Sequence, residues 1–176
     1  MKTLIVISGG GFAQIESGLA ILIALEEHGI ALHDANNTNY KGTSAGAVLS
    51  SLMSAGHSPH SILNIIKKYN SQFIRKHWLW PVRLALGYPI YNRDGFASFL
   101  HQLIDGHIYY NVKVIMTRAS DMRRTESPAH FLSVLASTSI DLIFPRVTID
   151  NTEYIDGGYT DNVPLEPKDA KHYDRI

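Results

Sequence analysis

Residues 40–50, YKGTSAGAVLS, decide how this chain is read. Glycines at 42 and 46 flank a serine, and small and apolar residues follow at once. A sharp strand-to-helix turn needs small neighbours, exposes a serine at the strand end and aims the N–H groups of the next helix at it. Gly42-Thr43-Ser44-Ala45-Gly46 therefore reads either as a nucleophile elbow or as a plain backbone corner. The choice depends on whether the rest of the chain supplies a base for Ser44 and donors for the negative charge its attack would create.

Two other stretches bear on that choice. Gly9-Gly10-Gly11 follows the apolar run that ends at Ser8. Consecutive glycines let backbone N–H groups approach a ligand closely, so the loop fits an oxyanion hole, a phosphate cradle or a tight turn. It is not a Walker loop, because no Gly-Lys-Ser/Thr follows. Asp156-Gly157-Gly158 follows Glu153-Tyr154-Ile155. An aspartate at a strand end with glycines behind it can act as a base toward a serine hydroxyl, although Asp-Gly is also a common turn dipeptide.

Around these points the hydrophobic period outlines an α/β chain. Thr3–Ser8 reads as a buried strand, and the segment from Glu16 to Ile30 as a helix with Leu19, Leu22, Ile23 and Leu25 on one face and a stop at Gly29. A strand ends near Tyr40, and a small-residue helix runs on to Gly56. Ser58 and Pro59 read as the cap and first position of another helix. Residues 95–106 form a further helix, 111–117 a β-branched strand and 128–137 a short helix. Residues 145–156 read as a strand pair turning at Asp150–Asn151, and the charged run 118–127 as a solvated loop. Strands alternating with helices predict a layered α/β domain with a largely parallel sheet.

Composition limits the function classes. The 176 residues and 45% apolar content suit one domain with a sizeable core. Sixteen basic and sixteen acidic residues cancel, which leaves no electrostatic footprint for nucleic acid. Cysteine is absent, and with it go disulfides, thiolate metal sites and thiol catalysis. The apolar run at the start is too short for a secretory signal, and no stretch has the eighteen or so apolar residues of a membrane span. The expected location is cytoplasmic or peripheral at membranes. The ending, AKHYDRI, reads as the opening of another strand, so the expected domain, residues 1–176, is cut short or unusually compact.

A glycine loop after the first strand, a G-x-S-x-G elbow and a late D-G-G, in that order, resemble the patatin-like phospholipase family. The likeness extends through residues 134–164, with an Ala-Ser helix end, a Phe-Pro turn, a short strand, Asp-Gly-Gly and then Asn-Xaa-Pro. It runs from about Leu4 to Pro164. The resemblance implies a three-layer α/β/α fold with a central, mostly parallel sheet, and a serine–aspartate dyad in place of a triad. Carried over, it makes Ser44 the nucleophile and Asp156 the base. Gly9, Gly10, Gly11 and Ala45 become the oxyanion donors, while Gly42, Gly46, Gly157 and Gly158 support the motifs. The implied activity is carboxylic ester hydrolysis of phospholipids or other acyl lipids, with no cofactor and no metal. Acyl transfer on the same dyad, or lipid binding with weak catalysis, are the alternatives.

The sequence departs from the family pattern at two places. Phe12-Ala13-Gln14-Ile15 stand where the family continues its glycine loop with a cation and a further glycine, and Asp141 stands where proline is common. Residues 75–91 interleave Trp78, Trp80, Tyr88 and Tyr91 with Arg75, Lys76 and Arg83, which fits a lid or an interfacial segment as well as a packed helix-loop. His57 and His60 have a ligand-like spacing but no third partner. His130 and His172 lie downstream of the serine and keep a histidine triad open.

Overall fold

The structure, a computed structural model, describes residues 1–32, 34, 36–69, 75–76, 79–104 and 106–176. In chain order the elements are β1 (Thr3–Ile7), α1 (Gly11–Glu27), β2 (Thr38–Thr43), α2 (Ala45–Ser54), α3 (Pro59–Tyr69), β3 (Arg75–Lys76), α4 (Trp80–Ala85), β4 (Tyr91–Asn92), α5 (Asp94–Ile104), β5 (Tyr109–Arg118), β6 (Arg123–Ala129), α6 (Phe131–Ser137), β7 (Val147–Ile149) and β8 (Thr152–Asp156). Six strands form one mixed sheet, and β3 pairs with β4 in a small separate one. β1, β2 and β5 are parallel, and β7 shares their direction because it and β5 both lie antiparallel to β8. Four of the six strands thus point the same way, with helices packed on the sheet, as in the α/β/α arrangement.

Local chemistry explains most of these boundaries. Gly29 and Gly56 take φ of 77° and 90° just past α1 and α2, a conformation that costs glycine little. The Ser58 hydroxyl accepts the Ser61 N–H at 3.2 Å and caps α3. Asp150 and Asn151 both have positive φ, the geometry of a tight hairpin turn, and join β7 to β8. In α2 every residue from Ala45 to Met53 is buried, so its small residues let a helix run through the core beside β1, β2 and β5.

Three readings change. The first helix, expected from Glu16, opens at Gly11, so Phe12, Ala13, Gln14 and Ile15 are helical. On α1, Leu19 and Leu22 are buried but Leu25 is exposed. The run 118–127, expected as a loop, contains most of β6, which pairs antiparallel with β5. Its charged residues and Pro128 hide the strand from a propensity reading. They suit an edge, where charge and a missing N–H discourage further pairing.

The register of β5 positions the site. At Ile115 its two partners are Thr43 of β2 and Glu126 of β6, and at Met116 they are Asp156 of β8 and Thr125 of β6. Since β6 occupies one edge throughout, β2 and β8 must share the other edge in succession. β8 takes over where β2 turns away, and the two strand ends meet. The chain beyond β8 is tied to β2 by a buried ion pair, Lys41 Nζ to Asp169 at 2.8 Å, with Glu166 also 3.2 Å from Nζ.

Candidate active site

Ser44 stands where β2 gives way to α2, with φ 53° and ψ −119°. A positive φ is costly for a residue with a Cβ and is retained where the surrounding structure imposes it. Here two glycines impose it. A Cβ on Gly42 would overlap the Gly46 carbonyl, and one on Gly46 would overlap the Ile7 carbonyl at the end of β1. The turn folds back on itself and presses against the neighbouring strand, so both positions exclude side chains. Ser44→Gly is therefore expected to be more stable than Ser44→Ala by about 1 kcal/mol, because glycine relieves the positive φ. Denaturant midpoints of the two variants measure this, and an alanine variant at least as stable as the glycine one would mean the elbow is unstrained.

The Ser44 hydroxyl donates to Asp156 Oδ2 at 2.7 Å, across 112 positions of sequence. The other carboxylate oxygen, Oδ1, accepts the Gly158 N–H at 2.7 Å. Both residues are buried, Ser44 to 8% exposure and Asp156 to 5%. Burial pushes the Asp156 carboxyl above its ordinary value of 3.8, and the hydrogen bonds from Ser44 and Gly158 draw it partly back. Backbone contacts fix the pair as well: the Ser44 N–H donates to Ser137 Oγ at 2.8 Å, and the Asp156 N–H donates to the Ser139 carbonyl at 2.8 Å.

Ser44 lies where two cavities meet. One, of about 230 Å³, is lined mostly by apolar side chains, among them Phe12, Ile15, Val48, Phe96, Ile143 and Phe144. The other, of about 460 Å³, is lined by Gly10, Gly11, Asp156, Gly158, Tyr159 and Asn162 together with Ser44 and Ile140. Gly10 thus borders the wider cavity, and Gly11 borders both. Gly11 has φ 62° and opens α1, and the first N–H groups of a helix have no acceptor within it. The same holds for Ala45 at the start of α2. The Gly9 N–H is instead engaged by the Asn162 carbonyl at 3.1 Å.

A serine hydrogen-bonded to a buried carboxylate, the first N–H groups of two helices and an apolar slot meet here. A family model, patatin-like phospholipase, matches residues 5–168. The chain belongs to the patatin-like phospholipase family. Among similar proteins, the lysophospholipase NTE1 of Meyerozyma guilliermondii is 28% identical over 180 residues, covering 96% of this chain and 12% of that protein. The lysophospholipase NTE1 of Eremothecium gossypii is 30% identical over 165 residues, covering 89% of this chain and 10% of that protein. The chain thus spans about a tenth of the length of these curated relatives. The crystal structure of VipD from Legionella pneumophila has the same fold, with a TM-score of 0.58 at 16% identity over 94% of this chain and 47% of that one.

Other residues of this patatin-like site were given no role from the sequence. Ser137 relays the Ser44 N–H to the Ile115 carbonyl, donating to it at 2.6 Å. Asn162 binds Gly9 on both sides, accepting its N–H and donating from Nδ2 to its carbonyl at 3.4 Å. Thr43 Oγ1 donates to the Asp161 carbonyl at 2.8 Å, and Asp161 receives Arg124 Nε at 2.7 Å. The chain just beyond Asp-Gly-Gly therefore ties base, elbow and glycine loop together. The Asn-Xaa-Pro pattern was the sequence signal for Asn162.

The two histidines raised for a triad are engaged elsewhere. His172 is exposed, and its Nδ1 lies 2.7 Å from the Lys168 carbonyl; the His130 side chain takes part in capping α6. Among the described residues, no group of three or more His, Cys, Asp or Glu side chains is placed to hold a metal ion. Asp141 binds Arg146 through both carboxylate oxygens, at 3.0 and 2.9 Å, and so braces its loop. Gln14 lines a separate cavity with Ile7, Ile21 and Val163, and Ser44 is not among that cavity's lining residues. Trp78 lies outside the described residues.

Proposed function

We propose that this chain is a serine-dependent lipid acyl hydrolase of phospholipase A type, working through an acyl-enzyme on Ser44 with Asp156 as base. The observation that carries the reading is the 2.7 Å hydrogen bond from Ser44 to Asp156 at the junction of an apolar and a wider cavity. The acyl chain occupies the apolar cavity, and the ester carbonyl lies against the glycine loop. Ser44 Oγ bonds to the carbonyl carbon while its proton passes to Asp156. The oxyanion is met by the N–H groups of Gly10, Gly11 and Ala45, each such donor being worth about 10²–10³ in rate. Gly9 acts indirectly, through its bond to Asn162, which fixes the loop. Collapse expels the alcohol, which takes the proton from Asp156. Water then gives a proton to Asp156 and attacks the acyl-enzyme, releasing the fatty acid and returning a proton to Ser44.

The names of the relatives favour lysophospholipids as the substrate class, and residues 1–176 are read as one catalytic domain. Within the expected lid, 75–91, Val82, Leu84, Leu86 and Tyr88 are exposed. This segment joins the pocket wall through Ile90 N–H to the Leu142 carbonyl and Tyr91 N–H to the Ile143 carbonyl. We read it as the edge that meets the lipid. Among the described residues no helix is long and apolar enough to cross a membrane. The direct test is a fluorophosphonate probe with peptide mapping, together with fatty-acid release from a lysophospholipid. Labelling at Ser44 and acid release are expected, and folded protein that does neither would leave a lipid-binding role.

A further inference from the structure

The segment from Ala136 to Phe144 serves the site in two ways. Ser137 and Ser139 hold the backbones of Ser44 and Asp156, while Thr138, Ile140, Ile143 and Phe144 line the apolar cavity. A single side chain grips the residues on either side of that segment. Arg93, only 6% exposed, donates from one terminal nitrogen to the Leu135 carbonyl and from the other to the Pro145 carbonyl, both at 2.9 Å. Its guanidinium carbon lies 5.8 Å from the centre of the Phe144 ring, and the side chain itself lines the cavity.

Arg93 has no carboxylate partner among the described residues. Its charge is met by two carbonyl dipoles and an aromatic face. Burial lowers its pKa to about 10, so it stays cationic at neutral pH. A buried cation without a counter-ion is costly, and an apolar side chain of similar size would fill the space more cheaply. What an apolar side chain lacks is the fork. A planar guanidinium can hold two carbonyls ten residues apart at a fixed separation, whereas an ammonium is a single point of attachment.

We propose that Arg93 is a positioning residue that sets the shape of the acyl cavity and the placement of Ser44 and Asp156 by bracketing residues 136–144. The proposal rests on reading this cavity as the acyl site and Ser44 as the nucleophile. It predicts that losing the fork changes which chain lengths fit as well as how fast they react.

The test compares wild type, Arg93→Lys and Arg93→Met, with folding followed by circular dichroism. One measurement is kcat and KM on p-nitrophenyl esters of four to sixteen carbons. The other is the thermal shift given by saturated fatty acids of eight to sixteen carbons, measured in a Ser44→Ala background. Arg93→Lys is expected to fold, to lose about 10- to 100-fold in kcat/KM chiefly through kcat, and to show a flattened chain-length optimum in both assays. Arg93→Met should lose more, and if it does not fold, Arg93→Lys decides. An unchanged kcat/KM and chain-length optimum in Arg93→Lys would overturn the proposal. If the wild type hydrolyses no ester, the nucleophile reading fails by itself. The fatty-acid profile then judges Arg93: flattened in Arg93→Lys it upholds the bracket, unchanged it overturns it.

Discussion

Ser44→Ala is expected to lower ester hydrolysis by at least about 10⁴-fold and to remove fluorophosphonate labelling, while the protein stays folded. Losing the nucleophile ends the covalent route, and the residual rate is what binding and the N–H donors give without it. Folding should survive because the elbow is fixed by the backbone: the Ser44 N–H to Ser137 bond does not involve the side chain. The hydroxyl's hydrogen bond is to Asp156 alone among the described residues, and its removal deprives that carboxylate of a donor that lowers its pKa. The carboxyl should therefore titrate at a higher pH in the variant, which isotope-edited infrared spectroscopy of the labelled aspartate can read. Retention of more than about a tenth of the wild-type rate would exclude Ser44 as the nucleophile. A histidine triad is checked in parallel by His172→Ala, which should keep full activity because the ring is exposed and engaged by its own turn.

The fold and the hydrogen-bonded pair of Ser44 and Asp156 were legible because both rest on local necessity. Gly42 and Gly46 are required where backbone meets backbone, and such a requirement shows in the sequence as glycine at fixed spacing. Asp156 was recognisable from the glycines after it, one of which, Gly157, would overlap the Ile115 carbonyl if it carried a Cβ. The rest of the site depends on pairings that local pattern does not encode. The partners of Arg93, the Leu135 and Pro145 carbonyls, lie 42 and 52 positions away, beyond the reach of a local pattern. Ser137 belongs to the Ala-Ser helix end of the resemblance, but its bonds to Ser44 and Ile115 cross between elements. β6 escaped notice because its alternation carries charge on an edge instead of apolar residues on a core face. No cation follows the glycine loop, and the cation lining the Ser44 cavity among the described residues, Arg93, is bonded instead to the Leu135 and Pro145 carbonyls.

Asp156→Asn should lower kcat/KM by about 10⁴-fold, near the upper end for a general base, because the same carboxylate serves both half-reactions. The amide keeps the shape: one oxygen can still accept the Gly158 N–H, and the NH₂ can donate to Ser44 Oγ, but neither removes a proton. With Asp156 as the proposed base, the acid limb of the wild-type pH profile should fall at a pH above 3.8, the direction in which burial moves this group. Stability runs the opposite way. The unfolded chain releases the Asp156 proton near 3.8 and the folded chain only at higher pH, so the folded state binds more protons between those values. The stability associated with the protonated form is complete below 3.8 and is lost as pH rises through the folded value. At neutral pH the buried carboxylate is thus a net cost, and Asp156→Asn should melt at the same temperature as wild type or higher. That advantage should shrink as pH drops toward 4. A lower melting temperature at neutral pH would mean that the hydrogen bonds to the carboxylate outweigh its burial. Near-wild-type hydrolysis in the folded variant would remove Asp156 from the mechanism.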